Sequence, residues 1–116
     1  MKVVNLTPHT INIVASDGTP ILAIEPSGDV ARVSSHTETV GVVTVQVGDS
    51  TAVVIPLTTT VFGDVQDLPD PQDGVAFVVS SLVAQRVPDR TDVFIPSDSV
   101  RDDAGRIIGC RSLGRI

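Results

Sequence analysis

The stretch of sequence that decides the fold runs from residue 75 to residue 96 and reads VAFVVSSLVAQRVPDRTDVFIP. Val75–Val79 is a continuous apolar run, which is typical of a strand buried on both faces. Leu82–Val87 follows two serines, which are favoured helix N-caps, and Pro88 prevents the helix from continuing. Val93–Ile95 forms a second strand before the next proline. This stretch therefore predicts a strand, a short helix and another strand in direct succession.

Outside this stretch, short segments rich in β-branched residues alternate with turn residues. The turns contain Asp-Gly or Gly-Asp pairs, which are hairpin signals. The further predicted strands are 3–6, 11–15, 21–24, 30–33, 39–47 and 52–55 with a continuation at 58–62, and a last hairpin turns at 102–105 and returns over 106–111. We therefore predict a single α+β domain over residues 1–116, mainly β, in which a compact barrel- or sandwich-like antiparallel sheet carries one short helix.

Charge is distributed unevenly along the chain, whose net charge is -6. Residues 1–85 carry two basic and nine acidic side chains, whereas residues 86–116 carry six basic and five acidic ones. All six basic residues of the second part are arginines, and a guanidinium can pair bidentately with carboxylate or phosphate. They are Arg86, Arg90, Arg101, Arg106, Arg111 and Arg115. This distribution predicts a small anionic ligand bound by the C-terminal part of the chain.

Composition also excludes some classes of function and favours others. An acidic chain without Trp or Tyr lacks both the basic surface and the stacking rings of a nucleic-acid-binding protein. No apolar run reaches the roughly 18 residues of a membrane span, and the N-terminus has no signal-peptide pattern. One cysteine, Cys110, cannot form an internal disulfide, so we expect a cytoplasmic location. A chain rich in β-branched residues, with high hydropathy and few aromatic residues, favours a homo-oligomer, with a valine-rich monomeric barrel as the alternative.

The strand–helix–strand stretch supplies the first candidate binding residues. Ser80 and Ser81 stand where a helix would begin at the end of a strand, and Arg90 and Arg111 could add charge for the same anion. There is no glycine-rich phosphate loop. The alternatives are structural: a serine that only caps the helix, and a local ion pair between Arg90 and Asp92 that fixes a turn.

The N-terminal stretch Asn5-Leu6-Thr7-Pro8-His9-Thr10 supplies the second set of candidates. Its proline stiffens a turn between two strands, so Asn5, Thr7 and His9 are held in fixed positions. A histidine there could hydrogen-bond a base, a ribose or a backbone carbonyl near neutral pH. The alternative is a histidine that only braces the turn.

Catalytic and metal-binding patterns are weak. The two histidines and one cysteine match no common zinc spacing. A nucleophilic pair of Cys110 and His9 requires the two chain ends to meet, and a small packed thiol is the simpler interpretation of Cys110. We therefore predict no catalytic residue, no metal site and no cofactor, and favour a binding protein over an enzyme.

Several short motifs together resemble a family of short, largely uncharacterised bacteriophage and prophage proteins that begin with an Asn-Leu-Thr-Pro-His motif. The likeness runs over nearly the whole chain and implies a viral context with an intracellular site of action. The polar positions that match are Asn5, Thr7, His9, Arg32, Ser80, Arg90, Asp92 and Arg111. The motifs are Val4–His9, Pro26–Gly28, Ala31–Val33, the loop Leu68–Gly74, Val79-Ser80, Arg90–Asp92 and Gly109–Arg111.

These observations combine into one functional prediction. We expect a phage-encoded protein that sequesters an anionic, nucleotide-derived ligand and so counters host defence. Arg90 and Arg111, helped by Ser80 and Ser81, would bind phosphate, while Asn5, Thr7 and His9 would contact sugar or base. Asp92 completes the set of predicted ligand-binding residues. The alternatives are a virion or assembly component, an inhibitor that binds a host protein, and a small nucleotide hydrolase that uses His9. The ligand prediction requires the two chain ends to lie side by side, so that the guanidinium groups and the first turn share one cavity.

Overall fold

The computed structural model describes residues 1–116, which form two compact units. One unit, here called the core unit, combines Met1–Val33 with Val65–Ile116. The other, here called the arm, is Ser34–Asp64. The sequence patterns alone, which indicate one domain, do not separate the arm from the rest.

The chain is built mainly from strands, with a single helix. The prediction of a mainly β, α+β chain with one short helix is confirmed. In chain order the elements are β1 (Lys2–Asn5), β2 (Ile11–Val14), β3 (Pro20–Ile24), β4 (Arg32–Val47), β5 (Thr51–Gln66), β6 (Val75–Val78), α1 (Ser81–Arg86), β7 (Val93–Arg101) and β8 (Ile107–Gly114).

The core unit contains a six-stranded sheet in the order β1-β6-β7-β8-β2-β3. It is mixed, whereas the sequence predicted an antiparallel sheet: β1 with β6, β6 with β7 and β2 with β8 are parallel pairs. The two hairpin pairs, β7 with β8 and β2 with β3, are antiparallel. Parallel pairs arise because a crossover such as α1 returns the chain to the end of the sheet where the preceding strand began. The barrel- or sandwich-like outline stays a prediction.

The strand–helix–strand unit forms as the sequence predicts. The side-chain oxygen of Ser80 accepts a hydrogen bond of 3.4 Å from the main-chain N–H of Val83 and thereby caps α1. The helix ends one residue earlier than predicted, at Arg86, two residues before Pro88. Its buried residues Val83 and Ala84 face the main core, so even a helix this short is fixed by packing.

Strand β6 is buried on both faces, and this divides the core into two clusters. Phe77 and Val79 belong to the larger cluster, with Leu6, Ala31, Val83, Ala84 and Val93. Val78 belongs to the smaller cluster, with Ile11 and Cys110. Alternate residues of a strand point to opposite faces, so a continuous apolar run serves both clusters.

The two outer strands of the sheet come together at Asn5. Asn5 pairs with Val78 of β6 and also forms an isolated parallel bridge with Pro26, just after β3. The main-chain N–H of Ser27 donates to the carbonyl of Asn5 at 3.0 Å. The first strand is therefore hydrogen-bonded on both of its sides at this residue, which positions the turn that follows it.

The arm is a hairpin of two 16-residue strands, β4 and β5, joined at Gly48–Ser50. The predicted turn at Gly48-Asp49 is confirmed, and both strands are longer than predicted. Residues 34–37, which the sequence predicted as a polar loop, lie within β4. The polar side chains of that segment are exposed on a ribbon, so they are compatible with a strand as well as with a loop.

Candidate functional site

The core unit has a cleft of about 560 Å³, here called the terminal cleft, where the N-terminal turn meets the C-terminal strand. The two ends of the chain therefore lie side by side, but none of the arginines that the ligand prediction places in the same cavity lines this cleft. The lining residues come from the turn and start of β2, the end of β6, β7 and β8. They are Thr7–Asn12, Val79, Ser80, Pro96, Ser99 and Ile107–Cys110.

The buried side chain of Asn5 fixes the N-terminal turn through hydrogen bonds. Its side-chain NH₂ donates to the carbonyls of His9, at 2.7 Å, and Ile24, at 3.0 Å. Its side-chain oxygen accepts from the main-chain N–H of Thr7, at 2.9 Å, and from the Thr7 hydroxyl, at 2.7 Å. Asn5 is only 1% exposed, and its amide has used both donor hydrogens and both acceptor positions. It therefore braces the turn and is not placed to contact a ligand directly.

His9 and Thr10 sit on the braced turn and are exposed at the cleft. Every hydrogen bond that His9 makes within the chain uses its main-chain N or O, and its imidazole nitrogens remain free. Thr10 donates its hydroxyl to a carboxylate oxygen of Glu25 at 3.1 Å. The main chain of His9 is therefore held in position, and its imidazole is available for hydrogen bonding at the cleft.

The two predicted serines have different surroundings. Ser80 lines the terminal cleft and also caps α1, so the structural alternative for Ser80 describes one of its contacts. Ser81 is the first residue of the helix, and its hydroxyl oxygen accepts from the side-chain NH₂ of Gln85 at 3.0 Å. Ser81 does not line the cleft.

Arg90 and Asp92 form a bidentate ion pair away from the cleft. The Nε and Nη2 groups of Arg90 each donate to one carboxylate oxygen of Asp92 at 2.8 Å, and Nη2 also donates to the carbonyl of Pro69 at 2.9 Å. The hydrogen bonds to Arg90 lower the pKa of Asp92, and those to Asp92 raise the pKa of Arg90. The pair ties the proline-rich loop to the segment after α1, which matches the alternative of a local ion pair.

Arg111 is also paired outside the terminal cleft. Its Nη2 donates to a carboxylate oxygen of Asp98 at 2.9 Å across the β7–β8 hairpin. Arg106 pairs in the same way with Asp102 in the hairpin turn. No arginine lines the cleft, so the structure brings Thr7, His9 and Ser80 together but leaves the predicted guanidinium groups elsewhere.

Three polar cleft residues were not among the predicted site residues: Thr10, Asn12 and Ser99. Ser99 reaches the cleft because it pairs with Cys110 in the β7–β8 register. Thr10 and Asn12 directly follow the predicted Asn-Leu-Thr-Pro-His motif, so proximity in sequence was an available signal for them. The predicted hairpin turn at 102–105 brings Ser99 opposite the return strand, but the register shift between Val100 and Arg101, which sets its pairing with Cys110, has no local signal in the sequence.

Two further searches of the structure concern ions and membranes. No group of three or more His, Cys, Asp or Glu side chains is arranged to hold a metal ion. None of the helical segments combines the length and the apolar character that crossing a bilayer requires.

No protein-family model matches this chain, and neither a curated protein nor a solved structure matches it. The resemblance to short phage proteins therefore stays a prediction.

Proposed function

We propose that this protein binds a small nucleotide-like molecule in the terminal cleft and holds it without converting it. The observation that carries the proposal is the convergence of the braced N-terminal turn and strand β8 on one cleft. Its volume of about 560 Å³ lies in the range of roughly 300–1,000 Å³ that small-molecule sites occupy.

The chemistry of the lining supports a ligand with a flat apolar part and several hydroxyl or amide groups. Ile107, Ile108 and Pro96 provide apolar surface, against which a base can pack. Around them stand hydroxyl, amide and imidazole groups, which can hydrogen-bond a sugar or a base edge. These polar residues are Thr7, His9, Thr10, Asn12, Ser80 and Ser99.

The charged part of the ligand faces solvent in this proposal. No arginine or lysine lines the cleft, and Arg90 and Arg111 already pair with Asp92 and Asp98. A phosphate without a cationic partner is bound best where it stays hydrated. Base and sugar therefore provide most of the affinity, and a nucleoside binds nearly as well as its monophosphate.

The biological role that we propose is sequestration of a nucleotide-derived signal during phage infection. The resemblance to short phage proteins supports this context. Sequestration requires a fitted site and no turnover, and the cleft offers hydrogen-bonding groups around an apolar floor.

Calorimetric titration with adenosine, AMP and a cyclic dinucleotide tests the proposal. We expect His9→Ala to weaken binding of the best of these probes about tenfold, which corresponds to the loss of about one hydrogen bond. His36→Ala is the matched control, because His36 is an exposed histidine of the arm that bonds Glu38. Arg111→Ala is expected to leave the affinity unchanged.

Three results would contradict this proposal. Failure of all three probes to bind rejects a nucleotide-like ligand. Equal effects of His9→Ala and His36→Ala reject the site. A large loss with Arg111→Ala means that guanidinium recognition, as the sequence predicted, carries the affinity.

A small hydrolase is the second candidate, because His9 and Cys110 line the same cleft. Both residues of the predicted nucleophilic pair thus lie at one cleft. Cys110 is buried, however, and no hydrogen bond joins the two side chains. Chromatography of the probe after denaturation separates the two functions. Intact ligand supports sequestration, and accumulation of cleaved product that Cys110→Ala abolishes supports the hydrolase.

A further inference from the structure

The arm exposes apolar side chains on both faces of its ribbon. Along β4, Val40 and Val42 point to one face, and Val43 and Val45 point to the other, because alternate residues of a strand face opposite sides. All four are exposed. A surface hairpin normally shows an apolar face toward its own core and a polar face toward water. This ribbon has no polar face over its valine-rich part.

The amount of exposed apolar surface is large. Ten large apolar side chains between Val40 and Phe62 are each 38% to 63% exposed. These side chains are divided between the two faces of the ribbon, and their exposed area summed over both faces is on the order of several hundred Å², against roughly 800 Å² that each partner contributes to a standard protein interface. The largest apolar patch on a typical monomer is about 300–600 Å².

The arm also lacks a core of its own. None of its residues 34–64 is buried, and only Val61 is partly buried. A two-stranded hairpin is at best marginally stable in water unless further strands or a helix cover one face. The extended arm therefore depends on a partner that covers it.

The chemistry of the arm favours an uncharged partner surface. The arm contains three acidic residues, Glu38, Asp49 and Asp64, and no basic one. No residue between Glu38 and Asp49, or between Asp49 and Asp64, carries a formal charge. The one histidine of the arm, His36, lies outside both intervals. The edge of β4 between these acids has neither lysine nor proline, the residues that commonly prevent one strand edge from pairing with another.

We propose that the arm is a self-association surface and that its occupant is the arm of a second copy of this chain. A partner on which the arm's structure depends must be present wherever the chain is, and an identical copy meets that condition. Residues 39–48 and 50–63 of the ribbon carry no charged side chain, so the ribbons of two copies can pair through these valine- and threonine-rich stretches although each whole chain has a net charge of -6. Self-association through the arm is independent of any ligand in the terminal cleft.

Sedimentation equilibrium of the full chain over a wide concentration range tests this proposal. We expect a mass of at least twice the 12.1 kDa of one chain at the higher concentrations. The double variant Val42→Thr, Val54→Thr keeps β-branched residues at two positions that are 63% and 61% exposed, so the hairpin can still form. It should weaken association at least tenfold, because each buried methyl that a hydroxyl replaces loses apolar contact.

The matched control is Ile21→Thr, Leu22→Thr, which changes two residues of β3 that are 66% and 57% exposed. It should leave association unchanged. Amide hydrogen exchange provides a second measurement: protection of the arm should rise with protein concentration in the wild type and not in the arm variant. A wild-type monomer at every concentration would overturn the proposal, and so would dissociation by the β3 variant while the arm variant still associates.

Discussion

Asn5 shows how one buried polar side chain can determine the geometry of a site that it does not itself form. Asn5 joins three segments. Its side-chain amide bonds the turn at Thr7 and His9 and the end of β3 at Ile24, and its main chain pairs with β6. A buried amide whose hydrogen bonds are all made is fixed in position, whereas each buried donor or acceptor left without a partner costs free energy. The positions of Thr7 and His9 at the cleft depend on this amide.

Replacing Asn5 with Ala should therefore destabilise the protein strongly. The substitution removes the partly buried hydrogen bonds from Asn5 to the carbonyls of His9 and Ile24 and leaves the N–H of Thr7 without its side-chain acceptor, while the His9 carbonyl keeps the Thr7 hydroxyl, at a cost of about 3 kcal/mol. Urea unfolding followed by circular dichroism measures this loss. Asn12→Ala is the control, because Asn12 is exposed, and similar losses for both variants would show that Asn5 has no special bracing role.

Sequence alone identified the polar stretch around Asn5 but not the role of each residue. A proline-stiffened turn with three polar residues fits a ligand site and a hydrogen-bonded brace equally well, since both need fixed polar groups. Which side chain faces inward is decided by the approach of β3, 19 residues away in sequence. His9 and Thr7 could be predicted as site residues, whereas the inward direction of Asn5 could not.

At the scale of elements, the junction between β2 and β8 joins the two walls of the terminal cleft. The strands are parallel neighbours, and Ile13 is paired with Cys110. Gly109 allows this close approach: a Cβ atom there would lie 2.6 Å from the main-chain oxygen of Asn12 and 2.9 Å from a methyl carbon of Val14. A backbone atom cannot yield as a flexible side chain can, so the separation of the strands depends on the missing side chain.

Gly109→Ala should push β2 away from β8 and destabilise the core unit by about 1–3 kcal/mol. The same substitution at Gly41 is the matched control, because a Cβ there meets no atom within 4 Å. Chemical denaturation of both variants measures the difference. If Gly109→Ala is as stable as Gly41→Ala, the two strands are free to separate without cost, and the close packing at the cleft wall is not required.

Local elements were more predictable than their arrangement. The strand–helix–strand stretch and both short hairpins follow from apolar runs, caps and turn residues that lie within a few positions of one another. The parallel pairing of β2 with β8 involves residues almost 100 positions apart, and no local pattern encodes it. The extension of β4 through residues 34–37 was missed for a different reason, because an unburied ribbon does not require alternating apolar residues.

At the scale of the whole molecule, three of the six C-terminal arginines pair with nearby aspartates. Arg90, Arg106 and Arg111 each pair with an aspartate of the same hairpin or turn. The clustering of arginines in the sequence could indicate either a ligand or a set of local pairs. The distances between guanidinium and carboxylate groups decide between the two, because residues 86–116 contain five aspartates beside the six arginines.

These pairs differ in burial, so they should contribute differently to stability as the pH changes. The side chains of Arg90 and Asp92 are only 20% and 16% exposed, and the hydrogen bonds from Arg90 lower the pKa of Asp92 below its ordinary value. A carboxyl group with a lowered folded-state pKa stabilises the protein above its unfolded pKa of about 4, and the stabilisation is lost as the pH falls through the folded value.

Asp92→Asn should therefore reduce the free energy of unfolding by about 1–2 kcal/mol at pH 7, and the difference from wild type should shrink below pH 4. Urea unfolding from pH 7 to pH 2.5 measures both curves, with Asp98→Asn as the control for an exposed pair worth less than about 1 kcal/mol. Asn tolerates the left-handed backbone found at Asp98, so the control removes only the charge. Parallel curves for wild type and Asp92→Asn would mean that the Arg90–Asp92 pair does not contribute to acid sensitivity.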